Sequence, residues 1–162
     1  MSVIDELVKN NREYAAGFDK ADLPAPPRTG VAIVACMDAR FHDRALGLEE
    51  GAAHVIRNAG GVITDDEIRS LSISQHELGT REIMLIHHTG CGLMSFTDDE
   101  FKDKLEGATG ERPEWSSEAF EDLETSVRDS IARINASPFI PHKDAVRGFV
   151  YEVETGRLRE VQ

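Results

Sequence analysis

Two short, continuously apolar runs constrain the fold of this chain most strongly: residues 31–35 (VAIVA) and 83–86 (IMLI). A strand that is apolar at every position is typical of a parallel sheet covered on both faces. Residues 54–57 form a shorter strand candidate. Between it and the run at 83–86, Thr64 and Glu67 form a capping box that starts a helix. This alternation predicts an α/β domain with a central, mostly parallel β-sheet flanked by helices.

The N-terminal segment differs from this core. Ser2 is placed to cap a helix with apolar residues at helical spacing, and Gly17 would end that helix. The proline-rich segment 23–27 cannot continue it. We expect residues 1–27 to form an N-terminal helical arm that packs on a second subunit, and residues 28–162 to form the α/β core of one domain.

The C-terminal half contains two further predicted elements. A long helix is expected to begin at Ser117, with Phe120 in its apolar stripe. Residues 148–152 and 157–161 flank a glycine-containing turn, which predicts a C-terminal hairpin.

Charge and composition exclude several classes of partner. The 162 residues carry a formal net charge of −12, whereas nucleic acids and anionic membranes bind basic surfaces. No apolar stretch approaches the roughly 20 residues that span a bilayer, and the first residues lack the features of a signal peptide. We therefore expect a cytoplasmic protein that binds neither nucleic acid nor membranes. The absence of a G-x-G-x-x-G or P-loop pattern argues against a nucleotide cofactor.

Potential metal ligands follow two of the predicted strands directly. The first strand leads into Cys36, Asp38 and Arg40, and the third leads into His88 and Cys91. Ligands collect beyond the carboxyl ends of parallel strands, so these residues converge if the two strands are neighbours. Thiolate, imidazole and carboxylate groups are ligands that zinc accepts, normally four at a time. The pattern predicts a zinc site of Cys36, Asp38, His88 and Cys91.

Simpler explanations exist for each part of this pattern. The two cysteines are alternatively small buried hydrophobic residues, or ligands of a purely structural zinc ion. Asp38 and Arg40 are alternatively a plain ion pair. Two nearby histidines receive no metal role. His87 should point to the opposite face of its strand and pack there, and His42 is more readily a surface residue than a proton shuttle.

The motifs C-x-D-x-R (residues 36–40) and H-x-x-C (88–91), with R-N-A-G (57–60) between them, resemble those of the β-class carbonic anhydrases. The resemblance covers residues 30–95 and is strongest to the compact bacterial branch. It implies that Cys36, His88 and Cys91 are permanent zinc ligands, and that Asp38 and Arg40 form a catalytic dyad. In some members of the family the aspartate swings onto zinc and closes the site.

The function implied by this resemblance is the reversible hydration of carbon dioxide to bicarbonate and a proton through a zinc-bound hydroxide. Asn58, Ala59 and Gly60 would then shape the substrate pocket, and the protein would be a homodimer or homotetramer. Two alternatives stay open. One is hydrolysis of carbon disulfide or carbonyl sulfide on the same zinc site, and the other is a non-catalytic zinc protein that binds bicarbonate.

Overall fold

The computed structural model describes residues 2–162, and within them the chain forms four α-helices and five β-strands. In chain order these are α1 (Val3–Ala16), β1 (Val31–Cys36), β2 (His54–Asn58), α2 (Asp65–His76), β3 (Glu82–His88), α3 (Asp98–Thr109), α4 (Leu123–Ala136), β4 (Val146–Glu152) and β5 (Arg157–Val161). Short 3-10 helices follow β1 and β3, at Asp43–Leu46 and Gly92–Met94. None of the helices in the described range is long and apolar enough to cross a membrane.

The five strands form one sheet in the order β2-β1-β3-β4-β5. The first three pairings are parallel, and β5 returns antiparallel to β4 as the predicted C-terminal hairpin. The α/β fold class and the mostly parallel sheet are thus confirmed. Because β1 lies between β2 and β3, the carboxyl ends of all three strands meet at one edge, with Cys36 opposite Asn58.

Alternate residues of the central strands pack on opposite faces of the sheet. Val34 and Leu85 pack with Leu71 of α2 and Ile134 of α4 in the larger core cluster. The neighbouring residues along the strands face a second cluster, which includes Ile33, Ala35, Phe41, Ile86 and Tyr151. Both faces of β1 and β3 are therefore buried, which explains why their sequences are continuously apolar.

The N-terminal arm is helical, as predicted. A capping box between Ser2 and Asp5 starts α1, and Gly17 follows its last turn. None of its residues is buried against the rest of the chain, and a row of large apolar side chains stays exposed, namely Val3, Ile4, Leu7 and Val8. Polar contacts tie the arm to the core, since the Tyr14 hydroxyl and the Lys20 ammonium both bond to Glu50.

The long C-terminal helix begins later than predicted. It starts after Asp122, whose Oδ1 accepts a hydrogen bond of 2.7 Å from the Thr125 N–H. Ser117, the expected start, instead donates its N–H and hydroxyl to Asp98, and Glu118 has a left-handed backbone with φ of 57°. A right-handed helix that begins at Ser117 cannot include that conformation. Phe120 precedes α4.

Candidate active site

Three metal-binding side chains meet at the carboxyl edge of the sheet. Cys36 is the last residue of β1 and His88 the last residue of β3, and these strands are neighbours. Gly90, with φ of +63°, turns the chain so that Cys91 returns to the same place. The three ligand atoms lie within 4.8 Å of one another, and all three residues are buried.

The His88 ring is oriented as a metal ligand requires. Its Nδ1 lies 2.9 Å from the Thr89 carbonyl oxygen. Because a carbonyl only accepts hydrogen bonds, Nδ1 carries the proton and Nε2 carries the free lone pair. That Nε2 is buried and has no hydrogen-bond partner in the described chain. Metal-bound histidines normally donate their second N–H to a backbone or carboxylate oxygen in this way, so the donor set fits zinc.

The two thiols affect one another's ionisation. The adjacent Cys91 thiol, as the largest cause, and then the backbone N–H groups of Asp38 and Gly60 lower the pKa of Cys36. The pKa of Cys91 is raised, first because it donates to Cys36 and then because it is buried. The site therefore favours one thiolate on its own, and a cation at its centre would favour the second.

Asp38 faces the same space but is bound by Arg40. Its Oδ1 accepts bonds of 2.9 Å from both the N–H and the Nε of Arg40, and its Oδ2 accepts one of 2.7 Å from Nη2. The Arg40 guanidinium holds the pKa of the Asp38 carboxyl well below its usual range. Oδ2 lies 3.6 Å from the His88 Nε2, although Asp38 is not one of the three clustered donors. Arg40 also donates to the Gly90 carbonyl at 3.1 Å, which joins the two ligand-bearing segments.

Arg57 has a role that the sequence did not reveal. Its guanidinium donates to the carbonyl oxygens of Cys36 (3.0 and 2.8 Å), Asp38 (2.7 Å) and Phe41 (3.2 Å). These carbonyls belong to the segment that follows β1, so Arg57 fixes the backbone that carries Asp38 and Arg40. The sequence signals were its place in the R-N-A-G motif and its position near the end of β2, but neither assigned it this contact with the segment after β1.

Comparison with known proteins identifies the family. The carbonic anhydrase family model matches residues 31–116, the segment that holds every site residue described above. The chain is also 56% identical over 162 residues to β-carbonic anhydrase 1 of Mycobacterium tuberculosis (strain ATCC 25618 / H37Rv), with 99% of each chain covered. The chain belongs to the β-carbonic anhydrase family.

Other relatives agree with this assignment. The structure of carbonic anhydrase from Streptococcus mutans superposes with a TM-score of 0.95 at 47% identity, covering 100% of this chain and 99% of that one. A carbon disulfide hydrolase from Saccharolobus solfataricus (strain ATCC 35092 / DSM 1617 / JCM 11322 / P2) is 36% identical over 184 residues, covering 97% of this chain and 88% of its own. The predicted enzyme class, a carbonic anhydrase, is confirmed.

The residues predicted to form the substrate pocket of this β-carbonic anhydrase separate into two groups. Asn58 and Ala59 line a cavity of about 380 Å³, together with Leu93, Phe96 and aromatic residues of the segment after β3. Gly60 is buried and instead packs against Leu93, whose side chain an added Cβ would overlap. The Asn58 side chain donates a hydrogen bond of 2.8 Å to the Val62 carbonyl, and this bond closes the turn between β2 and α2.

The two nearby histidines are placed apart from the cluster of three donors. His87 is fully buried, bonds through Nε2 to the Gly61 carbonyl at 3.0 Å, and packs on Phe120. Burial lowers the pKa of His87 to about 4, so its ring is neutral at physiological pH. His42 is exposed, and its Nδ1 accepts the Arg44 N–H to cap a 3-10 helix.

Proposed function

We propose that this chain catalyses the reversible hydration of carbon dioxide to bicarbonate and a proton, at a zinc ion held by Cys36, His88 and Cys91. His88 carries the proposal: its Nε2 is buried and unpartnered in the described chain, next to two thiols, while Thr89 fixes the proton on Nδ1. When bound, zinc supplies Lewis-acid chemistry that lowers the pKa of a water molecule to near neutrality.

Asp38 and Arg40 orient the reacting oxygen in this proposal. Three hydrogen bonds from Arg40 hold the Asp38 carboxylate ionised and away from the cluster. Its Oδ2, 3.6 Å from the His88 Nε2, is placed to accept a hydrogen bond from the attacking oxygen and thereby direct a lone pair of that oxygen toward the carbon of carbon dioxide. Arg57 maintains this geometry by fixing the backbone carbonyl of Asp38.

The proton balance assigns Asp38 an orienting role. Hydration forms one carbon–oxygen bond from water and carbon dioxide and releases one proton. With its pKa held far below the usual range by Arg40, Asp38 does not take up that proton at neutral pH. The proton must therefore leave to solvent or buffer, and we expect the rate at saturating carbon dioxide to rise with buffer concentration.

Stopped-flow carbon dioxide hydration on protein of measured zinc content, between about pH 6 and 9, tests the proposal. We expect activity that rises with an apparent pKa near 7. Cys91→Ser should lose zinc because it removes a permanent ligand, whereas Asp38→Asn should keep zinc and lose turnover. Full zinc retention by Cys91→Ser would refute the ligand assignment, and zinc loss from Asp38→Asn would make Asp38 a fourth ligand.

Carbon disulfide hydrolysis is the second candidate, favoured by the 36% identical hydrolase and by the partly aromatic cavity beside the site. The higher identity to a carbonic anhydrase, 56%, places carbon dioxide first. Measuring hydrogen sulfide release from carbon disulfide on the same zinc-loaded samples separates the two. We expect carbon dioxide turnover to exceed carbon disulfide turnover by several orders of magnitude.

We also propose that the enzyme is a cytoplasmic homodimer or homotetramer, with residues 1–27 as an arm on a single domain. The exposed apolar row of α1 supports the assembly, because a monomer would leave that row in water. The free thiols of Cys36 and Cys91 suit a reducing compartment. Light scattering at micromolar concentration should give a dimer or larger, and Leu7→Glu should shift it toward monomer, whereas Lys9→Glu on the same helix should not.

A further inference from the structure

His87 is a buried polar residue whose presence needs an explanation. Its ring is fully buried beside Phe120, and its Nδ1 is buried without a hydrogen-bond partner among residues 2–162. An unpartnered buried nitrogen destabilises a protein relative to an apolar side chain of similar size. The one interaction that an apolar side chain would lack is the bond from Nε2 to the Gly61 carbonyl, 3.0 Å long. Since that carbonyl only accepts, Nε2 carries the proton.

Gly61 belongs to a turn that presses directly on the metal-binding strands. With φ of +70°, it lies so close that an added Cβ would fall 2.7 Å from the Cys36 nitrogen and 2.8 Å from the Ile86 carbonyl oxygen. The position of the Gly61 turn therefore constrains the backbone of Cys36, the residue that carries the thiol.

We propose that His87 is a positioning residue for the zinc site: its Nε2–H holds the Gly61 carbonyl and so keeps this turn packed against the backbone of Cys36. This inference rests on the proposed function, because it takes Cys36 to be a zinc ligand. Groups that hold a metal ligand in place from outside the coordination shell tune the site, and their loss weakens metal binding. The side-chain bond from Asn58 to Val62 holds the other end of the same turn.

The paired histidines thus act on the two sides of one strand. His88 holds its proton on Nδ1 and directs Nε2 at the metal site, whereas His87 holds its proton on Nε2 and donates it to the turn. Strand alternation places the two rings on opposite faces of β3. The proposal therefore fixes opposite tautomers for neighbouring residues, which is a directly measurable property.

Two substitutions separate positioning from packing. His87→Gln keeps an N–H donor near the place of Nε2, and His87→Met fills a similar volume without a donor. In a chelator competition we expect His87→Met to weaken zinc binding on the order of tenfold, with most of the loss restored in His87→Gln. Cobalt-substituted His87→Met should show a shifted sulfur-to-metal absorption band, and cobalt-substituted His87→Gln should not.

Gln75→Leu is the matched control for stability. Gln75 is buried in α2 and makes two backbone hydrogen bonds to His142, each 2.9 Å. Losing them should destabilise the fold yet leave zinc affinity and the cobalt band unchanged. If His87→Met does not fold, the tautomers of the unmodified zinc-loaded protein are still measurable by long-range proton–nitrogen NMR, and we expect Nε2–H for His87.

Each result bears on the proposal in one direction. A shifted cobalt band and weaker zinc binding in His87→Met, both rescued in His87→Gln, support it, as does the Nε2–H tautomer. Zinc affinities that are equal among wild type, His87→Met and His87→Gln overturn it, as does an Nδ1–H tautomer. Failure of the proposed function is a different result, since wild-type protein would then bind no zinc or hydrate no carbon dioxide.

Discussion

Substituting Gly61 by alanine tests how closely the turn after β2 packs on the strands that carry the site. The added Cβ would meet backbone atoms of Cys36 and Ile86 at 2.7 and 2.8 Å, and neither atom belongs to a side chain that can rotate away. Gly30 offers a matched control. It has the same φ of +70°, yet an added Cβ there meets nothing within 4 Å.

The two substitutions share every cost except the clash. A left-handed backbone costs alanine about 1–2 kcal/mol at either position, and the unfolded chain loses the same entropy in both variants. At Gly61 the strands or the turn must also move, and overpacking of this kind costs about 1–3 kcal/mol. We therefore expect Gly61→Ala to lower the free energy of unfolding by about 1–3 kcal/mol more than Gly30→Ala does.

Urea unfolding followed by the fluorescence of Trp115, the single tryptophan of the chain, measures this difference. With a urea dependence of about 2 kcal/mol per molar, the two midpoints should differ by about 0.5–1.5 M. Protein concentration must be equal in all samples, because assembly adds to the apparent stability. Zinc content must be measured first, since Gly61→Ala also displaces the Cys36 backbone.

Equal midpoints for the two variants, with equal zinc content, would refute the reasoning. That result would mean that the turn can move away from the strands without loss, and that strain at φ of +70° is the whole effect. The difference in midpoint between the two variants could also disappear when zinc is removed from every sample. That result would mean that the clash weakens metal binding rather than the fold itself.

Two further predictions concern Arg57 and Asp98. Arg57→Lys should lower kcat/KM about tenfold while zinc is retained, because a compact ammonium group does not reproduce the planar guanidinium that spans three separate carbonyls. Arg69→Lys, in an exposed ion pair with Asp66, is the control and should leave kcat/KM unchanged. The Ser117 N–H, and then Lys102, lower the pKa of Asp98 to about 2. The stabilisation from Asp98 is therefore complete above about pH 4, and it is lost as pH falls toward 2. The urea midpoint of Asp98→Asn, measured from pH 7 down to 3, should consequently fall less than that of wild type.

Much of the fold was predictable because each local signal agreed with the next. The apolar runs at 31–35 and 83–86 became the buried strands β1 and β3, and the Thr64–Glu67 capping box starts α2. The expected helix start at Ser117 was wrong. The apolar periodicity of the helix already includes Phe120, but the helix begins only after Asp122. Asp98, which is distant in sequence, binds Ser117, and no local pattern reveals a partner of that kind.

The site likewise has residues whose placement follows from the local sequence and residues whose contacts depend on distant segments. Residues directly after a parallel strand must lie at its carboxyl edge, so the meeting of Cys36 with His88 required only that β1 and β3 be neighbours. Arg57 and His87 act through backbone carbonyls of other segments. A carbonyl is present at every residue, so the sequence carries no mark of which ones are bound.

This difference explains why the motifs are enough to identify the family. The geometry of the site also depends on residues to which the motifs assign no role. The side chains that face the metal site must be thiol, imidazole or carboxylate, and those types stand out in the sequence. The groups that hold them in place need only a donor at the correct distance. In this chain Arg57 fixes the loop of Asp38 and His87 fixes the turn beside Cys36. Both act on backbone at the carboxyl edge of the sheet, where a misplacement of about 1 Å can cost on the order of 100-fold in rate.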